Sequence, residues 1–238
     1  MTYYQKNLAL IEAQHGPDHP LVAVAAERVG NAYVHLGKNQ DALTYYERAL
    51  KIRGDDRSGV VAQLFDNYGT ALMNLKRFKE AETQIRAALE IHERVQGPDH
   101  PDTGITLINL ANVLDQENTP DVALRERALK IFEAKLGPEH PLVGQASMSI
   151  GYHYVLTKQP KLAVPYLERA LKIEGAKLGT DHPEYAYTLA VLGSAQQDAG
   201  DYKAAITTFE AAIANKGTPA SGLADLKANL ADCKKALK

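Results

Sequence analysis

The chain has 238 residues with a formal net charge of -2, and 45% of its residues are hydrophobic. This balanced mixture of acids and bases lacks the basic footprint of a nucleic-acid or anionic-membrane binder, and no apolar run approaches the roughly 20 residues that span a bilayer. The single cysteine, Cys233, excludes an internal disulfide and favours a reducing compartment. We therefore expect a cytoplasmic protein that binds neither nucleic acid nor membrane.

The first element predicted is a helix over residues 1–15, which is followed by the motif GPDHP at 16–20. The motif recurs as GPDHP at 97–101, GPEHP at 137–141 and GTDHP at 179–183. Glycine ends a helix in the left-handed conformation, the first proline cannot continue it, and the last proline suits the first turn of a new helix. An adjacent acid and histidine supply too few ligands for a metal, since successive copies lie a whole repeat apart. The motif therefore predicts a junction between helices.

These junctions, with a degenerate one at 54–60, divide the chain into repeats 16–53, 54–96, 97–136, 137–178 and 179–216. Apolar residues recur with a period of 3.6 on both sides of a short turn in each repeat, which predicts two helices per repeat and no strand. Residues 1–15 align with the second helix of a repeat whose first helix is missing. Residues 217–238 contain an amphipathic capping helix, with Leu226 and Cys233 on its apolar stripe and Asp225 on its solvent face. The prediction is an all-α single solenoid over 1–238, with about twelve helices.

Small residues recur at fixed repeat positions: Gly30, Ala42 and Ala49; Gly69, Ala81 and Ala88; Gly151, Ala163 and Ala170; Gly193, Ala205 and Ala212. This skeleton is similar to that of the tetratricopeptide repeat, and the roughly 42-residue period with its G-P-[DE]-H-P junction resembles the subtype of kinesin light chains and many bacterial signalling proteins. The resemblance implies a right-handed α-solenoid that binds proteins. It also raises the hypothesis that the chain is the repeat region of a larger bacterial signalling protein, such as a Ser/Thr kinase.

The repeated mid-helix glycines are expected where two helices pack closely, since glycine inside a helix is otherwise unfavourable by about 1 kcal/mol. The third repeat departs from the pattern, because Ala111 and Ala128 are 17 residues apart where the other repeats have 19. This deletion predicts a shorter second helix or a tighter turn.

No motif for catalysis or for phosphate binding occurs in the sequence. Four of the eight histidines lie in the junctions and the others fall at unrelated repeat positions, while Cys233 is predicted to be buried. We therefore expect no enzymatic activity, no cofactor and no metal.

By the same resemblance, the first helix of each repeat lines a concave groove. The residues predicted to contact a peptide there are Asn31, His35, Asp66, Asn67, Thr70, Asn74, Asn109, Asn112, Met148, Tyr152, Ser194 and Gln197. The asparagines lie within first helices, where their amides can pair with a peptide backbone or can instead be solvated or link neighbouring helices. Most mapped charges are acidic, which favours a neutral or basic partner.

The predicted groove becomes more apolar in the fourth and fifth repeats. Tyr152, with Met148, Val155 and Tyr187, could accept an apolar side chain, or Tyr152 could be partly buried against the next repeat. A competing hypothesis starts from helix 1–15, whose apolar face has no first helix to cover it. In that case the chain is either a fragment of a longer protein or a homo-oligomer that assembles through this N-terminal end.

Overall fold

The computed structural model describes residues 2–238, and these residues form α-helices without any strand. The all-α prediction is confirmed. The helices are α1 Thr2–His15, α2 Pro20–His35, α3 Asn39–Arg53, α4 Gly59–Asn74, α5 Phe78–Val95, α6 Pro101–Gln116, α7 Val122–Leu136, α8 Pro141–Leu156, α9 Pro160–Lys177, α10 Pro183–Asp198, α11 Tyr202–Ala214 and α12 Leu223–Ala236, with a 3-10 turn at Ala220–Gly222.

The helices form two compact units, Met1–Asp121 with α1–α6 and Val122–Lys238 with α7–α12. In unit 1, the hairpins α2–α3 and α4–α5 pack in order between α1 and α6. In unit 2, α7 packs on the hairpin α8–α9, which is followed by α10–α11 and then by α12, which contacts both α10 and α11. The third predicted repeat thus has its first helix in unit 1 and its second in unit 2, and the single solenoid over 1–238 stays a prediction.

The junction motifs end one helix and begin the next, as the sequence predicts. Their glycines have φ values of 87°, 100°, 90° and 88° at Gly16, Gly97, Gly137 and Gly179, and the last proline opens the following helix. Each junction histidine is the N-cap residue, and its Nδ1 accepts a hydrogen bond from a backbone N–H in the first turn. At His140, for example, the donor is the amide of Leu142 at 3.2 Å. Histidine is not a common N-cap, so the sequence did not reveal this role.

The mid-helix glycines lie where the two helices of a hairpin approach closely. A Cβ on Gly30 would stand 2.6 Å from Tyr46, and one on Gly193 would stand 2.6 Å from Phe209. The same holds for Gly69 and Gly151, which face Ile85 and Leu167 at 2.5 and 2.6 Å. The predicted close packing is therefore confirmed, and it explains why a poor helix former occupies this position.

The deletion in the third repeat delays the start of the second helix without shortening it relative to α3, since α7 and α3 both have 15 residues. Helix α7 begins at Val122, six residues before Ala128, whereas α3 begins at Asn39, ten residues before the corresponding Ala49. The turn is longer rather than tighter. Arg125 lies three residues before Ala128, at the repeat position that Tyr46 and Phe209 occupy in other repeats. It is 0% exposed, and its Nε donates a hydrogen bond to Ser149 Oγ at 2.9 Å.

Candidate functional site

The asparagines of unit 1 link neighbouring first helices. Asn67 of α4 donates its amide to Glu27 Oε1 of α2 at 3.0 Å, and Asn109 of α6 donates to Asp66 Oδ1 of α4 at 3.3 Å. In both cases an asparagine two residues before the small repeat residue meets an acid three residues before it in the preceding repeat. We call these two bonds the asparagine ladder. They fit the second of the two sequence-based interpretations, in which the amides join helices.

Asp66, which the sequence analysis predicts to contact a peptide, lies in a buried polar cluster. It is 3% exposed, and it accepts hydrogen bonds from Thr106 Oγ1 at 2.5 Å and from Asn109. Its Oδ2 also faces Nε2 of buried His92 at 3.5 Å, while Nδ1 of His92 contacts Gln96. Burial alone would lower the pKa of His92, but the neighbouring Asp66 carboxylate and the contact with Gln96 raise it above 6.5.

Asn31, Thr70 and Asn74 also make hydrogen bonds within unit 1. Asn31 Oδ1 accepts from the Tyr46 hydroxyl at 2.7 Å, Thr70 donates to the backbone of its own helix, and Asn74 donates to Asn39 at 3.2 Å. Asn112 is half-buried on α6.

An open hollow of about 500 Å³ lies between α1 and α2. Exposed His35 and half-buried Asn31 line it together with Arg28 and Tyr4. This hollow is open to solvent, and it brings together only two of the predicted contact residues.

A cavity of about 440 Å³ lies in unit 2 between α8, α10 and α12. We call it the unit-2 pocket. The first helices of the fourth and fifth repeats form two of its walls. These walls include Tyr152 and Val155 of α8 and Tyr187, Ala190, Val191 and Ser194 of α10. A volume of this size is within the range of ligand and side-chain pockets. The predicted apolar surface around Tyr152 is therefore a concave pocket, which Tyr187 also lines.

Two predicted residues of unit 2 do not line this pocket. Met148 is half-buried and packs against the core cluster that contains Leu167 and Leu192, and Gln197 is half-buried further along α10. Within the pocket, burial and the neighbouring Tyr152 raise the pKa of Tyr187.

The outer wall of the pocket is α12, which the sequence did not connect with binding. Leu226 is buried and anchors this wall, and Asp225 and Asn229 line the pocket beside it. Asp225 was predicted on the solvent face of the helix; it is exposed, but it borders the cavity. The signal in the sequence was the spacing of Asp225 and Asn229, which places both on one side of a helix.

Across residues 2–238, no cluster of three histidine, cysteine or acidic side chains could hold a metal ion. No helix in the same range is long and apolar enough to cross a membrane.

Comparison with known proteins places the chain among repeat proteins. A family model described as tetratricopeptide repeat matches residues 2–55, 60–125 and 145–218. The chain is 30% identical over 106 residues to Protein KINESIN LIGHT CHAIN-RELATED 2 of Arabidopsis thaliana, a match that covers 43% of this chain and 16% of that protein. The chain thus spans less than a fifth of that relative's length.

Two solved structures share the fold at low sequence identity. BtubC (BKLC) from P. vanneervenii superposes with a TM-score of 0.74 at 17% identity, over 89% of this chain and 86% of that one. YrrB, described as a TPR protein with an unusual peptide-binding site, superposes with a TM-score of 0.56 at 15% identity, over 96% and 97% of the two chains. At these identities the likeness shows the fold alone, an all-α repeat solenoid.

Proposed function

Because this chain belongs to the tetratricopeptide repeat family, we propose that it is a non-catalytic scaffold that holds a peptide segment of a protein partner in the unit-2 pocket. The observation that carries the proposal is the pocket itself. Two tyrosines and the apolar side chains of α8 and α10 line about 440 Å³ of accessible space. Aromatic side chains contribute much of the binding energy at protein interfaces, and partly exposed tyrosines such as Tyr187 can become buried when a partner binds.

The first helices of unit 1 have a different role in this proposal. The asparagine ladder fixes α2, α4 and α6 relative to one another through Asn67 and Asn109. The side-chain amides of Asn67 and Asn109 can contact a peptide only through donors and acceptors that are not used in the ladder. Contact of Asn31, His35, Asn74 and Asn112 with a peptide remains a prediction of the sequence.

The test is a selection of random twelve-residue peptides on the purified chain, followed by fluorescence polarisation with the enriched peptides. Ala190→Phe fills the pocket, and Ala211→Phe makes the same change at an exposed position of α11 as a matched control. We expect Ala190→Phe to weaken binding about tenfold or more, the effect of blocking a hot-spot pocket, and the control to bind as wild type does. Equal binding by both variants would contradict the proposal.

A second candidate function is self-assembly through α1. Tyr3 and Leu10 of this helix are 76% and 56% exposed, and Leu8 is its buried residue. Exposed apolar side chains of this kind can bury surface in a homo-oligomer. Sedimentation velocity over a range of concentrations should then show association that Leu10→Asp abolishes; a monomer at every concentration would contradict it.

We also propose a cytoplasmic signalling context in which this chain is the repeat region of a longer protein, such as a bacterial Ser/Thr kinase. The match to the kinesin-light-chain-related protein of Arabidopsis thaliana supports it, because that match covers only 16% of a longer protein. An immunoblot of the native lysate would show a band well above 26.0 kDa in the soluble fraction if this is correct.

A further inference from the structure

The α12 side of the unit-2 pocket carries two polar side chains with unused bonding capacity. Asp225 and Asn229 lie one turn apart on α12 and both line the cavity. Neither has a hydrogen-bond or ion-pair partner within the described part of the chain. A carboxylate at the rim of an apolar cavity can pair with a cation that enters from solvent, and the amide one turn further can donate to or accept from a peptide backbone.

The helices that form the other walls of the unit-2 pocket, α8 and α10, carry no lysine or arginine that could pair with Asp225. The charged residues of α10 are the acids Glu184 and Asp198. On α12 itself, Lys227 is exposed and does not line the cavity. The pocket therefore combines apolar walls with a negative rim, and this charge distribution favours a basic ligand over an acidic one.

The tyrosines at the opposite wall fit the same ligand. Tyr152 of α8 and Tyr187 of α10 both line the cavity. Aromatic faces accept aliphatic side chains, and they also attract the cation of a lysine or arginine. An apolar side chain that enters the cavity would leave the next residue of its chain near the rim, beside Asp225.

We propose that the unit-2 pocket recognises a partner segment in which an apolar side chain is directly adjacent to a lysine or arginine. The apolar side chain fills the space between Tyr152, Tyr187 and Leu226, and the basic residue pairs with Asp225. Asn229 holds the peptide backbone between the two. This inference rests on the proposed peptide-binding function and names the chemistry of the partner.

The experiment repeats the random-peptide selection on three forms of the full chain: wild type, Asp225→Lys and Asp232→Lys. Asp232 is exposed on the same helix and does not line the pocket, so its variant makes the same charge change as a matched control. We expect wild type and Asp232→Lys to enrich an apolar residue next to lysine or arginine. Asp225→Lys should instead enrich an apolar residue next to aspartate or glutamate.

Affinity measurements then separate the inference from the function on which it rests. A selected basic peptide should bind Asp225→Lys about tenfold more weakly than wild type, and its binding to wild type should weaken as salt is raised. Peptides that Ala190→Phe binds more weakly, but that show no preference for a basic residue, would overturn the inference and leave the proposed function intact. Peptides that Ala190→Phe binds unchanged would overturn both.

Two other occupants would also refute the inference. A concentration-dependent dimer that Ala190→Phe abolishes would make a second copy of the chain the occupant. A small molecule that co-purifies with wild type but not with Ala190→Phe, detected by native mass spectrometry, would make the pocket a ligand site.

Discussion

Glu174 of α9 makes the stability of the protein depend on pH. Its side chain is buried with 6% exposure, and its Oε1 accepts a hydrogen bond from Thr188 Oγ1 at 3.1 Å. Its Oε2 has no hydrogen-bond partner among the described residues. Burial raises the pKa of Glu174 to about 7, and the charge of Glu184 adds to the increase while the hydrogen bond from Thr188 opposes it.

The direction of the effect follows from the protons that each state binds. The unfolded chain releases the Glu174 proton near its ordinary pKa of 4.5, and the folded chain retains it up to about 7. Between these two values the folded state binds more protons, so the free energy of unfolding falls as pH rises. At 1.36 kcal/mol for each unit of pKa, the penalty reaches about 3 kcal/mol above pH 7.

The perturbation that tests this is Glu174→Gln, which stays neutral at every pH and keeps an acceptor for Thr188. Its new amide N–H group would occupy the unpartnered site of Oε2, and an unmade hydrogen bond there costs about 1–3 kcal/mol. We therefore expect the variant to be more stable than wild type by about 1–2 kcal/mol at pH 8.5, and less stable by about 1 kcal/mol or more at pH 4.5.

The assay is urea denaturation followed by circular dichroism at several pH values between these limits. Glu168→Gln, at an exposed position on the same helix, is the matched control and should follow wild type throughout. Other titrating groups act equally on both proteins, so only the difference between the two curves is used. If wild type and Glu174→Gln show the same dependence on pH, the charge on Glu174 does not oppose folding and the reasoning is refuted.

Three further predictions concern packing, capping and the buried cluster. Gly193→Ala should destabilise the fold by about 1–3 kcal/mol in urea denaturation, because its Cβ would stand 2.6 Å from Phe209; an unchanged midpoint would contradict the packing. His140→Ala should cost about 0.5–2 kcal/mol through the lost N-cap and His140→Asn much less, and equal losses in both would exclude a capping role. Asp66→Asn should destabilise more at pH 5.5 than at pH 8.5, because a raised pKa of His92 contributes stability that is present below pH 6.5 and is lost as pH rises through its folded value; a loss independent of pH would contradict the pairing.

The helices and their junctions could be predicted from sequence because each depends on a few neighbouring residues. Gly97 takes a positive φ and Pro101 opens a helix whatever lies around them. Repetition adds long-range information, since it places Gly193 and Phe209 at the same repeat positions as Gly30 and Tyr46. The close approach of paired helices was therefore predictable, although the histidine N-caps were not.

The contacts between repeats could not be predicted from the sequence. Asn67 and Asn109 have the same pattern whether they face a peptide or a neighbouring helix, and only the positions of Glu27 and Asp66 decide between the two. Asp66 itself was mapped to the groove by its repeat position, yet His92 and Thr106 from other helices enclose it.

The sequence by itself determined that this protein is a set of helical hairpins, with small residues where helices meet and an apolar surface around Tyr152. Only the tertiary structure showed that this surface becomes a pocket, because its outer wall comes from α12, with Asp225 and Asn229 beside the cavity. The periodicity of α12 specifies which face is buried, and Leu226 and Cys233 follow it. Where α12 lies against α10 depends on packing between elements distant in sequence, and no local pattern encodes it.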